Sequence, residues 1–189
     1  MGAGPAMNTE GDRAARWPFV VQLLHWIGVA LIAGIAVIGL LMVDMERGTD
    51  LRRTCYALHK SLGITALALA AVRMAVRATT QAPPPLGQQR IFARVAALSH
   101  AFMYVLLLAL PVSGWLLNSA AGQPLPWFGV VQLPALVTPD KALRQLMDTT
   151  HSALFWSLVG LVALHLLAVF HHHLWCKHAL LQRMWPGRG

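Results

Sequence analysis

Histidine is the residue that could do chemistry here, with nine of them in a 189-residue chain that is 57% apolar and 12% charged. An ionisable ring inside a membrane is costly enough to be a functional candidate by default. His25 lies about six residues into the first apolar run, His59 near the start of the second, and His151 and His165 fourteen residues apart in the last. On a helix, fourteen residues rise roughly 21 Å and return to within roughly 40° of the same direction. One helix face therefore offers imidazoles at two depths, His151 level with His59 and His165 level with His25. Two stacked imidazole pairs with no cysteine or carboxylate beside them suit six-coordinate haem iron better than zinc, which usually takes four tetrahedral ligands. One histidine alone would read as an interhelical hydrogen bond; four at matched depths point to two haems.

His100 sits about five residues inside the third run, where it could replace His25 or His165 as ligand, bind a quinone or transfer a proton. His171, His172, His173 and His178 mark the end of the last run, where an interfacial polar cluster is the plain reading. His172 follows His165 by seven residues, stays on roughly the same face, and is the one placed beside a quinone. Near His59, Arg52, Arg53 and Lys60 form a cationic entrance that would concentrate a small anion. Ordinary snorkelling at a helix end would explain the same three residues.

Four apolar stretches must carry these groups, with helices expected over about 19–43, 56–78, 95–117 and 149–174. Each approaches the roughly 20 residues needed to cross a hydrocarbon core of about 30 Å. The expected fold is thus an all-α membrane protein, a four-transmembrane-helix bundle enclosing two b haems. Residues 1–18 form a cytoplasmic N-terminal segment, 19–174 the four-helix di-haem membrane domain, and 175–189 a cytoplasmic tail. The first 18 residues have no apolar core of a secretory signal, so the first helix is expected to be retained. Nine basic residues against Glu10 and Asp12 fall on the side of the termini, and six against five on the other. Charge bias then places both termini in the cytoplasm of a bacterium, with the chain multi-pass in its inner membrane. The formal charge of +8 sits at helix ends rather than in one stripe, which argues for lipid and against nucleic acid.

Pro83, Pro84 and Pro85 favour an extended cytoplasmic linker between the second and third helices. Four prolines with Trp127 and Phe128 suit the long connection from Asn118 to Asp148 to a cap at the outer interface, with a helical lead at Lys141–Met147. Trp17, Trp26, Trp175 and Trp185 are expected to anchor the inner boundary. Pro111 is expected to kink the third helix and Gly114 to permit close helix contact, while Gly28, Gly63 and Gly160 could let a haem approach the backbone. Cys55 and Cys176 fall near opposite ends and make no metal or redox pair.

Four stretches make this chain similar to the bacterial cytochrome b561 family, and within it to the small four-helix branch that oxidises superoxide. They are Leu24-His25-Trp26, Leu58-His59-Lys60-Ser61-Leu62-Gly63, Ser99-His100 through Tyr104 to Ala109-Leu110-Pro111-Val112-Ser113-Gly114, and His151 through Leu164-His165 to His172-His173. The resemblance implies two b haems, the inner held by His25 and His165 and the outer by His59 and His151, passing electrons from periplasmic superoxide to ubiquinone with release of dioxygen. The same family implies an alternative, a cytochrome b subunit linking quinone to a separate redox partner protein. The chain departs from the pattern at His171-His172-His173 and at Gln88-Gln89-Arg90.

Overall fold

The computed structural model describes residues 16–83, 90–174 and 180–185, the side chains of Phe92, His173 and Leu180 excepted. Glu10, Asp12, Arg13, Pro84, Pro85, Gln88, Gln89, Trp175, Cys176, Lys177, His178 and Arg188 lie outside the described residues. Four long helices dominate: α1 (Phe19–Asp44), α2 (Asp50–Thr79), α3 (Arg90–Ala120) and α4 (Lys141–Leu174). Between α3 and α4 lies a hairpin of β1 (Leu125–Trp127) and β2 (Val131–Leu133), and a short α5 (Leu180–Met184) follows α4. All four long helices are apolar and long enough to cross a membrane, and the chain is a multi-pass membrane protein. Helix is the natural answer in lipid, where each backbone N–H and C=O must find its partner within the chain.

α1 begins with its apolar run at Phe19, whereas the other three long helices begin before theirs. α2 starts at Asp50 rather than at residue 56 because Thr49 accepts the Arg52 N–H at 3.3 Å, and α4 starts at Lys141 because Asp140 Oδ1 accepts the Leu143 N–H at 2.6 Å. Such caps satisfy donors that the first helical turn leaves orphaned. α3 continues through Pro111.

α1 packs on α2, α2 on α3, and α3 on α4. Apolar side chains are not drawn inward as they are in water: beside buried Leu106 and Leu158, polar groups share the interior and many leucines face out. Gln22, Ser61, Ser113 and Ser119 are buried, whereas Leu98, Leu164 and Leu167 are 64–70% exposed. Lipid tails are as apolar as leucine, so such residues have no reason to turn inward. The buried polar groups are bonded, as they must be: Gln22 Nε2 donates to Trp17 O at 2.6 Å, and Ser119 Oγ accepts the Leu136 N–H at 3.1 Å.

At one end the β-hairpin lies on α2. Lys60 Nζ donates to Asn118 Oδ1 (3.3 Å) and Pro124 O (3.2 Å), Ser61 Oγ accepts the Phe128 N–H (3.0 Å), and Trp127 Nε1 donates to Thr65 Oγ1 (3.2 Å). Phe128 holds a left-handed φ of 48°, unusual for a bulky residue. At the opposite end Trp26 Nε1 donates to Met184 O (2.7 Å), Trp26 meets Trp185 edge-on (5.9 Å), and the Arg77 guanidinium covers the Trp17 ring (4.2 Å). The tryptophans expected as headgroup anchors thus also tie α5 to α1.

Replacing Ser61 with alanine removes the acceptor of the part-buried Phe128 N–H, and the loss of one such hydrogen bond costs about 0.5–1.5 kcal/mol. Ser61→Ala should lower the midpoint of thermal unfolding in detergent while leaving the visible spectrum intact. An unchanged midpoint would show that the hairpin is not held through this bond.

Candidate haem-binding site

The hairpin-end pair comes together across the bundle. His59 on α2 and His151 on α4 have ring centroids 6.4 Å apart, with planes at 76°. Two metal–imidazole bonds of roughly 2 Å, plus about half a ring at either end, span about 6 Å, so one iron fits between them.

Each ring is oriented by its other nitrogen. His59 Nδ1 donates to Ile35 O on α1 at 3.2 Å. His151 Nδ1 lies 3.1 Å from Leu110 O on α3 and 3.0 Å from Ser113 Oγ, and the Ser113 hydroxyl itself donates to Leu110 O at 2.7 Å. Such bonds fix the tautomer and leave Nε2 as the basic nitrogen, the usual arrangement behind a metal-ligating histidine.

A glycine one turn past each carbonyl makes the approach possible. A Cβ at Gly39 would lie 2.8 Å from His59 Cε1 and 3.2 Å from its Nδ1; a Cβ at Gly114 would lie 3.1 and 3.4 Å from the same atoms of His151. Both rings thus turn the Nδ1–Cε1 edge to the glycine and the Nε2 side away. Gly28 meets only Leu69 Cδ2 at 3.9 Å, and Gly63 and Gly160 face open space with no protein atom within 4 Å. Gly39 and the two accepting carbonyls escaped the sequence reading. Their signal is a glycine on the helix preceding each histidine helix.

At the other level three histidines gather. His100 and His165 have ring centroids 5.4 Å apart, closer than an intervening iron would leave them, and His25 lies within electrostatic range of both. His25 Nδ1 is buried without a hydrogen-bond partner among the described residues, and its ring contacts Trp26 edge-on at 5.4 Å. His172 lies further along α4, 5.6 Å from the His171 ring. Among the described residues no three or more histidine, cysteine or acidic side chains assemble as metal ligands. The donor set fits haem, whose porphyrin fills four positions and asks the protein for two imidazoles.

The cationic residues are differently engaged. Arg53 pairs with Asp50 at 3.0 Å on an exposed surface, Lys60 holds the hairpin, and Arg52 lies over the Tyr56 ring at 5.3 Å, with a long contact to its hydroxyl at 3.4 Å.

Alanine favours a helix over glycine by about 1 kcal/mol, so Gly39→Ala and Gly114→Ala should stabilise α1 and α3 taken alone. Both should nonetheless reduce bound haem, measured as the haem-to-protein ratio by pyridine haemochrome, because the new methyl displaces His59 or His151. Full haem content with an unaltered spectrum in both variants would refute the glycine notch.

The family model described as prokaryotic cytochrome b561 matches residues 16–187, a span that holds all nine histidines. Cytochrome b561 homolog 2 of Escherichia coli (strain K12) is 30% identical over 170 residues, covering 89% of this chain and 90% of that protein. Cytochrome b561 homolog 1 of the same strain is 28% identical over 172 residues, covering 87% and 94%. A match of this length, on a chain with four membrane-crossing helices and opposed imidazoles, shows that the protein belongs to the prokaryotic cytochrome b561 family of membrane haem b electron carriers.

Proposed function

We propose that the protein is a superoxide oxidase, a superoxide:ubiquinone oxidoreductase of the bacterial inner membrane with its termini in the cytoplasm and its hairpin end in the periplasm. The reading is carried by one observation: histidines cluster at two levels, His59 with His151 near the hairpin end and His25, His100 and His165 near the other. The net reaction balances as two superoxide anions giving up one electron each to become dioxygen, while one ubiquinone takes both electrons and two protons to become ubiquinol. Bound haem supplies one-electron redox centres at the two depths.

The chain's own groups do the rest. His59 and His151 present Nε2 to the outer centre, and His25 and His165 serve the inner one. That leaves His100, against His165, and His172, further along α4, to hold the quinone and pass protons to its oxygens. The long cap between α3 and α4 is bound to α2 and offers no separate docking domain, which favours a small diffusing donor over a protein partner.

An anion approaching the hairpin end meets Arg52, Arg53 and Lys60, but unequally. Asp50 offsets Arg53, and the Lys60 amine is committed to the cap, so Arg52 should contribute most to steering. Stopped-flow mixing of the purified protein with superoxide should show haem reduction at a rate that falls with salt, as screening shortens the range of attraction to about 8 Å at 0.15 M. Arg52→Gln should slow it roughly two- to fivefold at low salt and flatten the salt response, with a smaller effect from Arg53→Gln. Equal rates in parent and both variants would remove the patch as the entrance. A parent protein that superoxide cannot reduce would leave the role of a carrier between quinone and a separate redox partner.

Ligand assignment has its own check. His59→Ala and His25→Ala should each remove or derange a different haem, and His100→Ala should keep both while slowing quinone reduction. Loss of the inner haem from His100→Ala would move that ligand to α3.

A further inference from the structure

α2 and α4 both run from the hairpin end, and their first histidines, His59 and His151, stand opposite one another. Fourteen residues later α4 carries His165, whereas α2 carries Arg73. The same step of roughly 21 Å brings the two positions to a common depth. Arg73 accordingly lies within electrostatic range of His25, His100 and His165 alike. Where α4 repeats its imidazole, α2 places a permanent cation.

A guanidinium at that depth favours an anionic partner, since an uncompensated charge there is expensive. Its Nε is buried and has no hydrogen-bond partner among the described residues. The Tyr104 ring, 5.7 Å from Cζ, supports the guanidinium and leaves N–H groups at its edge to face a ligand. The acidic residues among those described are Asp44, Glu46, Asp50, Asp140 and Asp148, all at the hairpin end of the bundle. No described carboxylate stands at the level of Arg73.

We propose that Arg73 binds a propionate carboxylate of the haem held at the His25–His165 level. The proposal rests on the two-haem reading above. Haem b brings two carboxylates, and the planar arginine fork matches a carboxylate with two parallel N–H bonds, a geometry lysine cannot reproduce. The pair would fix the rotation of the porphyrin about the axis between its two histidines. It would also neutralise a negative charge beside the iron, which favours the reduced form, because reduction lowers the positive charge of the centre by one.

The test is a spectroelectrochemical titration of both haems in purified holoprotein, for the parent, Arg73→Gln and Arg73→Lys. Arg73→Gln should lower the inner midpoint, shifting its reduction equilibrium about tenfold, or about 59 mV for one electron, and leave the outer midpoint in place. Its inner midpoint should also become more pH-dependent, as the freed carboxylate titrates. Arg73→Lys should recover part of the shift, because the charge returns without the fork. An inner midpoint and pH response identical to the parent's would overturn the proposal and leave an anion such as a lipid phosphate as the partner of Arg73. Should Arg73→Gln lose the inner haem altogether, apoprotein reconstituted with haem dimethyl ester decides: in the parent the ester should be retained as poorly as haem is in the variant, and tight retention would overturn the proposal. A parent holding one haem per chain would sink the two-haem reading itself, and the proposal with it.

Discussion

A histidine can present one definite nitrogen to a metal only when something else holds the other, and in this bundle that something is the helix backbone. Ile35 O and Leu110 O already lie within α1 and α3, yet each has a second lone pair to give. His59 and His151 take those lone pairs through Nδ1. The rings are thereby held edge-on to a helix, with Nε2 turned away from it. Gly39 follows as a steric necessity, since a methyl there would overlap the His59 ring, and a methyl at Gly114 would crowd the His151 ring by a few tenths of an ångström.

The lipid setting makes these bonds more demanding. No water competes for a carbonyl at membrane depth, so each side-chain donor must be answered by the chain or by a ligand. The hairpin-end level meets that condition within the protein, with Ser113 adding a hydroxyl between His151 and Leu110 O. The other level does not: His25 Nδ1 and Arg73 Nε are both buried without a partner among the described residues. One level is set by backbone geometry and the other by groups that look outward for partners.

The four helices were legible because leucine, alanine and valine dominate stretches long enough to cross a membrane. The start of α2 was less so, because Thr49 extends it into polar sequence that hydropathy discounts, whereas the polar lead of α4 from Lys141 was expected and is helical. The depth arithmetic brought out the pairing of His59 with His151, since helical rise does not depend on context. It could not distinguish His25 from His100, which share a level on different helices. The glycines show the limit clearly: Gly114 was expected to permit close helix contact and does so against His151, whereas Gly39, which meets His59 across a helix–helix interface, lies too far in sequence from any histidine to be singled out. The β-hairpin was hidden because each strand is only three residues long, β1 has a proline at its centre, and the turn places Phe128 at a φ usually left to glycine. Arg73 counted only as one more inner charge until its depth and the Tyr104 ring gave it a position.

The two imidazole–carbonyl bonds are local in chain order, 24 residues apart between His59 and Ile35 and 41 between His151 and Leu110. Each closes a pair of helices that are consecutive in synthesis, α1 with α2 and α3 with α4. The α1–α2 half can therefore set its own ligand before the α3–α4 half exists, and the second half sets its own from contacts within itself. A planar cofactor gripped by one imidazole from each half would then act as the bolt joining two finished clasps, making its arrival an assembly step as well as the start of redox competence.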